Sequence, residues 1–262
     1  MNGQINISRF IAKLDSCFDR NDLKAAKECI EYWEKEARET GDDRALLTVL
    51  NEAVGFYRRT QKRGRALAAM EESLALVDKL GLPDKLSGAT IYINAATTLS
   101  FFGKEEEGLQ LYDKAARCYE IERHTETYEY AALLNNKAGT LNALKRYDEA
   151  ERDWVQAIEI LKEIGGHAGE IAISLVMLAH LTFIGIPPPM KKWRKYWTKR
   201  GNISIRTIRR KTETTHTFYE NARLPLIISK GTTRRKPCEK SQKKSITNDN
   251  KELYYGKQIR IK

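Results

Sequence analysis

The feature that most constrains the fold of this chain is an internal repeat with a period of 42 residues. Seven registers show it, and apart from Lys137 each holds residues of similar character. The matching positions are Leu50, Tyr92 and Leu134; Ala53, Ala95 and Lys137; Val54, Ala96 and Ala138; Tyr57, Leu99 and Leu141; Ala66, Gly108 and Ala150; Met70, Tyr112 and Trp154; and Ser73, Ala115 and Ala157. A fixed period of about 20 to 50 residues is typical of stacked supersecondary units, so the sequence predicts a repeat protein.

Each repeat contains two blocks of apolar residues at helical spacing. In the clearest copy the blocks are Tyr130 to Leu144 and Tyr147 to Ile164, separated by the polar turn at Lys145 and Arg146. Such a pattern predicts two helices joined by a tight turn, a helical hairpin. The register that opens the second helix holds only Ala or Gly, which lets two helix backbones approach closely.

The side chains of one copy resemble a known family. They are Leu134, Lys137 with Ala138, Leu141, Ala150, Trp154 and Ala157. This order is similar to that of the tetratricopeptide repeat family, and the long period is similar to the variant found in kinesin light chains. The resemblance implies an all-α, right-handed superhelical solenoid. Lys137 stands where the family usually has an apolar residue, so we expect either that its ammonium group reaches toward the surface or that the contact there is locally loose.

The composition changes near residue 184. Residues 1–183 hold 24 basic and 30 acidic residues and 24 alanines, whereas residues 184–262 hold 22 basic and 5 acidic residues and a single alanine. The repeat also stops there, because Pro187 to Pro189 cannot continue a helix. We therefore predict a helical repeat domain at 1–183, in which a degenerate hairpin spans Ile7 to Thr40 and a last helix begins near Ala168. Residues 184–262 are predicted to be a basic, disordered tail.

An alternative origin for the tail is a reading-frame shift near residue 184. Shifted Glu codons become Lys or Arg codons, which would turn an acidic helical segment into a basic one. The nucleotide sequence would distinguish the two origins.

Nothing in the sequence indicates catalysis, a metal or a cofactor. The four histidines lie in separate elements, and neither a Gly-rich dinucleotide motif nor a phosphate-binding loop occurs. The four cysteines have no metal-ligand spacing and are interpreted as reduced thiols. Because the first residues lack a secretory signal pattern, we expect a cytoplasmic location. The chain is predicted not to be an enzyme.

The resemblance implies a protein-binding function, since in this family the first helix of each hairpin lines a concave groove that holds extended peptides. Amide side chains recur on these helices, and an amide both donates and accepts hydrogen bonds. The candidate groove residues are Asn51, Asn94, Asn135, Asn136, Asn142 and His180. Two roles remain open for the asparagines: contact with the backbone of a bound peptide, or hydrogen bonds between adjacent helices. Arg58 and Arg59 are only weak substitutes for the Lys and Asn clamp with which some relatives hold a terminal carboxylate.

Two further hypotheses concern the end of the chain. The basic tail could bind nucleic acid through its charge and its aromatic residues, which are Trp193, Tyr196, Trp197 and Tyr219. This is the alternative to peptide binding. The apolar run from Ile171 to Ile186 is followed by basic residues, but it is shorter than the roughly 20 residues needed to span a bilayer, so no membrane helix is predicted. The sequence leaves the partner and the oligomeric state open.

Overall fold

The structure is a computed structural model, and it describes residues 5–183. The chain divides into two compact units, and residues 5–178 belong to the first and residues 179–183 to the second. The described helices are α1 (Ile7–Asp19), α2 (Leu23–Thr40), α3 (Asp43–Arg59), α4 (Arg63–Lys79), α5 (Leu86–Phe101), α6 (Glu105–Ile121), α7 (Tyr128–Ala143), α8 (Tyr147–Ile164) and α9 (Ala168–Phe183). The predicted tail lies outside the described residues, so the domain boundary near residue 184 stays a prediction.

Eight of these helices form four hairpins in chain order, α1 with α2, α3 with α4, α5 with α6 and α7 with α8. The odd-numbered helices are termed A helices below and the even-numbered ones B helices. The bounds of α8 coincide with the predicted block, and α9 begins at the predicted residue, Ala168. The degenerate hairpin also forms within Ile7 to Thr40, as predicted.

The hairpins stack so that each touches mainly its neighbours. Helix α5 packs against α3 on one side and α7 on the other, and every B helix from α2 to α6 also packs against the A helix that follows it. Contacts limited to adjacent units are the property that defines a solenoid. The predicted fold class, an all-α helical repeat solenoid, is confirmed.

The repeating registers are the buried ones. Leu50, Tyr92 and Leu134 are all buried, and the small residues that open the B helices are buried as well. In the degenerate hairpin the predicted inward residues Phe10, Leu14, Ala26 and Ile30 have no exposed surface, and Trp33 is half-buried. Burial of large side chains contributes about 1.5 to 3 kcal/mol each, so this core provides most of the stability.

For Lys137 the structure agrees with the first of the two expectations, an ammonium group that reaches toward the surface. Its side chain is mostly buried, and its Nζ lies 2.8 Å from Oδ1 of Asp113 on the neighbouring helix α6. The aliphatic part thus lies over the core while the charged end reaches an acidic partner.

The turns repeat as regularly as the helices. Each turn from an A helix to its B helix contains one residue with positive φ, and these are Asn21, Gln61, Gly103 and Lys145. Aspartates cap two of the helix starts, since Asp22 and Asp42 each accept a hydrogen bond of 2.9 Å from a backbone N–H three residues later. Such caps satisfy amides that have no partner inside the helix.

The described part of the apolar run, residues 171–183, lies in α9. Within the part of the chain that the structure describes, no helix combines the length and the apolar character needed to cross a bilayer.

Candidate functional site

The six predicted groove residues all lie on A helices. Asn51 is on α3, Asn94 on α5 and His180 in the last turn of α9. The remaining three, Asn135, Asn136 and Asn142, are on α7. Their surroundings differ, so each is described separately below.

Asn51 and Asn94 bond to each other. The Nδ2 of Asn94 donates to Oδ1 of Asn51 at 2.8 Å, and the two residues are only 5% and 3% exposed. Their hydrogen bond joins α3 to α5. For this pair the structure supports the second of the two roles left open by the sequence, a hydrogen bond between adjacent helices.

Asn135 makes a similar link one hairpin further along. The hydroxyl of Ser174 on α9 donates to Oδ1 of Asn135 on α7 at 2.7 Å. Asn135 is partly exposed, so its Nδ2 group is not enclosed in the way that Asn51 and Asn94 are.

Asn136 and Asn142 have hydrogen-bonding capacity left over. Asn136 is exposed. Asn142 is partly exposed, but its Oδ1 is buried and has no hydrogen-bond partner among residues 5–183. A buried acceptor without a donor is unfavourable by about 1 to 3 kcal/mol.

The sequence analysis did not predict that Arg58 joins two helices. Arg58 is mostly buried at the end of α3. Its Nη1 donates to Oγ1 of Thr98 at 3.1 Å and to the backbone oxygen of Asn94 at 3.4 Å, both on α5. Burial lowers the pKa of the guanidinium, although the side chain still carries its charge at neutral pH. The repeat could have identified this position in the sequence, because Arg58, Ser100 and Asn142 are polar residues that share one register.

In the next hairpin, the residue in the register of Arg58 is Ser100, and it forms an equivalent hydrogen bond. The hydroxyls of Ser100 on α5 and Thr140 on α7 lie 2.9 Å apart. Arg58 and Thr98 are separated by 40 residues, and so are Ser100 and Thr140. A polar link between consecutive A helices is therefore a repeated feature of this fold, and a neutral residue suffices to make it.

Tyr112 on α6 makes a further polar contact with α5. Its hydroxyl lies 2.8 Å from Oγ1 of Thr97, and burial raises the pKa of Tyr112 to about 12. The phenol is thus neutral at physiological pH. It adds a hydroxyl and no charge near Arg58.

No arrangement typical of a metal site occurs in the described part of the chain. No group of three or more His, Cys, Asp or Glu side chains between residues 5 and 183 could hold an ion. The described cysteines, Cys17, Cys29 and Cys118, are free thiols buried in the core. Burial raises the pKa of Cys29 and Cys118, which makes these thiols poor nucleophiles.

The hydrogen bond between Asn51 and Asn94 leads to a stability prediction. We expect Asn94→Ala to lower the free energy of unfolding by at least about 1 kcal/mol, because the buried Oδ1 of Asn51 loses its donor. Urea denaturation followed by circular dichroism at 222 nm measures this. Asn136→Ala, which removes an exposed amide, should change the value by less than about 0.5 kcal/mol. Equal effects of the two substitutions would show that the interhelical bond contributes nothing.

Comparisons with known proteins agree with this geometry. Residues 131–166, which cover most of α7 and all of α8, match the model of a tetratricopeptide repeat. Among solved structures, the crystal structure of BtubC (BKLC) from P. vanneervenii is similar with a TM-score of 0.64 and 16% sequence identity, over 91% of this chain and 87% of that chain. At this identity the likeness concerns the fold. A comparison with curated proteins gave no significant match. From its stacked hairpins and these similarities, the chain has an all-α helical repeat fold, and its residues 131–166 are similar to a tetratricopeptide repeat.

Proposed function

We propose that the A helices bind an extended peptide segment of a partner protein, and that Asn136 and Asn142 contact its backbone. Tetratricopeptide repeats generally mediate protein–protein interaction and are typically non-catalytic scaffolds. The observation that carries the finer proposal is the exposure of these two amides on one A helix, since Asn136 is exposed and Asn142 partly exposed, whereas Asn51 and Asn94 are buried.

The spacing of the amides on α7 suits an extended ligand. Asn136 and Asn142 are six residues apart on α7, which corresponds to about 9 Å along the axis. An extended chain advances about 3.3 Å per residue, so this distance spans about three ligand residues. Asn51, Asn94 and Asn135 then have a supporting role, because their hydrogen bonds hold neighbouring A helices in register. His180 stays a predicted groove residue.

Peptide selection tests the proposal directly. Peptides of about 12 residues would be selected from a random phage-displayed library on the full-length chain, and their affinities measured by fluorescence polarisation. We expect Asn142→Ala and Asn136→Ala each to weaken a selected peptide by about 5- to 150-fold, since each loss leaves a backbone group of the ligand unpaired.

Gln110 provides a matched control. It is an exposed amide on the B helix α6, and Gln110→Ala should leave the affinity unchanged. If the peptides bind Asn136→Ala and Asn142→Ala as tightly as the unsubstituted chain, the A helices are not the binding surface and the proposal fails.

Two finer expectations belong to the same proposal. A cytoplasmic location is supported by the free thiols of Cys17, Cys29 and Cys118, because disulfide-free cores are usual in reducing compartments. The nucleic-acid alternative depends on residues 184–262, which lie outside the described part of the chain. Binding to generic DNA that falls steeply with salt would favour that alternative.

A further inference from the structure

Helix α9 is apolar in composition but poorly covered. Its only Asp, Glu, Lys or Arg residue is Glu170, and in this it is similar to α5, which has none. Helix α5 has 11 buried residues, whereas among residues 168–181 of α9 only Ser174 and Leu181 are buried. Ile173 is 41% exposed. An apolar helix without the cover that α5 has presents a surface for another chain.

The repeat shows which face of α9 is open. Two registers that are buried in the three preceding repeats continue into α9 as Val176 and His180. The buried members are Leu50, Tyr92 and Leu134 in the first register and Val54, Ala96 and Ala138 in the second. Val176 and His180 are instead partly exposed. The open face of α9 is thus a face that the other repeats bury.

A further B helix of the same type does not fit this face. The sequence after α9 predicts none, because Pro187 to Pro189 cannot continue a helix. His180 also takes a register that otherwise holds Val or Ala, so a B helix at the usual close distance would meet a larger, polar ring. The group that covers α9 must leave space for an imidazole and offer it a hydrogen-bond acceptor.

A second α9 has these properties. Gly169, Ile173, Val176 and His180 follow each other at spacings of four, three and four residues, so they lie on one face of the helix. In an antiparallel pair around a twofold axis, Ile173 of one copy meets Val176 of the other. His180 meets Gly169, which has no side chain and leaves space for the ring. Glu170, the next residue, supplies the acceptor, so the face is complementary to itself in shape and in charge.

The first helix of the stack disfavours an end-to-end arrangement of copies. The exposed residues of α1 are mostly polar, and they are Ser8, Arg9, Ala12, Lys13 and Asp19. If α9 of one copy packed on α1 of the next, it would bury these charges against an apolar face, which is unfavourable. A contact between two α9 helices buries apolar surface from both copies and closes after two subunits.

We propose that the chain forms a twofold dimer in which α9 packs antiparallel against α9 of a second copy. Ile173 and Val176 form the centre of the contact, and His180 of each copy pairs with Glu170 of the other. His180, which the sequence predicted to line the groove, is thereby assigned to the dimer contact. The inference goes beyond peptide binding and does not depend on it, because Asn136 and Asn142 lie on α7.

Sedimentation equilibrium of the full-length chain between about 1 and 200 μM measures the dimer directly. At high salt, which screens the charges of residues 184–262, Ile173→Glu should weaken the dimer at least about 30-fold, because it places a carboxylate in the apolar contact. Ile164→Glu is the matched control, since Ile164 is 44% exposed at the end of α8 and should leave the dissociation constant unchanged. If circular dichroism shows that Ile173→Glu loses helix content, Ile173→Ser takes its place.

A charge exchange at low salt tests the antiparallel orientation. Glu170 keeps one carboxylate oxygen for the contact, because its bond with the hydroxyl of Tyr128 uses Oε1. Glu170→Lys and His180→Glu should each weaken the dimer, since each replaces the pair by two groups that do not attract. The two substitutions in one chain again bring opposite charges together and should restore the dissociation constant to within about threefold. In a parallel pair, identical residues would face each other and the combined variant would stay weak.

The outcomes are distinct from those of the peptide proposal. A chain that stays monomeric over the whole concentration range would overturn the dimer, and so would a dimer that Ile173→Glu and Ile164→Glu weaken equally. A combined charge variant that does not recover would overturn the antiparallel pairing. None of these results changes what Asn136→Ala and Asn142→Ala show about peptide binding, because those substitutions lie outside α9.

Discussion

Trp154→Ala is expected to lower the free energy of unfolding by about 3 to 5 kcal/mol. Trp154 is 2% exposed and lies in the register that also holds Met70 and Tyr112. Its removal deletes a large buried side chain and leaves a cavity between α7 and α8, which neighbouring side chains fill only in part. Thermal melting and urea titration followed by circular dichroism would measure the loss.

Tyr32 is the matched control for this prediction. It is an aromatic residue on a B helix as well, but 56% of its surface is exposed. Tyr32→Ala should cost at most about 1 kcal/mol. If the two substitutions destabilise the protein equally, the buried and exposed faces of the B helices are assigned incorrectly.

Gly108→Ala is expected to lower the free energy of unfolding by about 2 to 3 kcal/mol, although Ala is the better helix former. A Cβ atom at Gly108 would lie 2.6 Å from Oγ of Ser100 and 2.8 Å from the backbone oxygen of Ala96, both on α5. The hydroxyl could rotate away, but the carbonyl belongs to the helix backbone. Helices α5 and α6 would therefore have to separate.

Gly139 shows what the same substitution does where space is available. It lies in the C-terminal half of α7, and apart from the helix's own backbone and the two neighbouring residues, a Cβ atom there would meet no atom of the described residues within 4 Å. Gly139→Ala should raise the free energy of unfolding by about 0.5 to 1 kcal/mol, because Gly is entropically unfavourable in a helix. A stabilising effect of Gly108→Ala as well would contradict the close approach of α5 and α6.

Much of the fold could be predicted because a repeat presents the same evidence several times. The period places Leu50, Tyr92 and Leu134 in one register, and all three are buried. The apolar block from Tyr147 to Ile164 coincides with α8, since helical spacing and the flanking turns mark both of its ends. For the exception in the pattern, Lys137, one of the two expectations from its side chain is confirmed, since its ammonium group reaches Asp113.

The candidate site was less predictable, because a register identifies equivalent positions and not contacts. Asn94 and Asn136 share a register, yet Asn94 is buried and bonded to Asn51, whereas Asn136 is exposed. The bonded pair is 43 residues apart and the link from Arg58 to Thr98 spans 40, and neither separation equals the period of 42. Such offsets depend on how consecutive helices are shifted and rotated against each other.

The sequence by itself determined the helices, the hairpins and the buried faces, because these follow from a local spacing of apolar residues that recurs in every repeat. Only the tertiary structure decided which amides are bonded between helices and which keep free capacity, as Oδ1 of Asn142 does within the described residues. It also showed that the charge of Arg58 has no anionic partner among residues 5–183. The physical reason is that a hydrogen bond or an ion pair requires two groups within about 3 to 4 Å, and that distance is set by the packing of helices from different repeats.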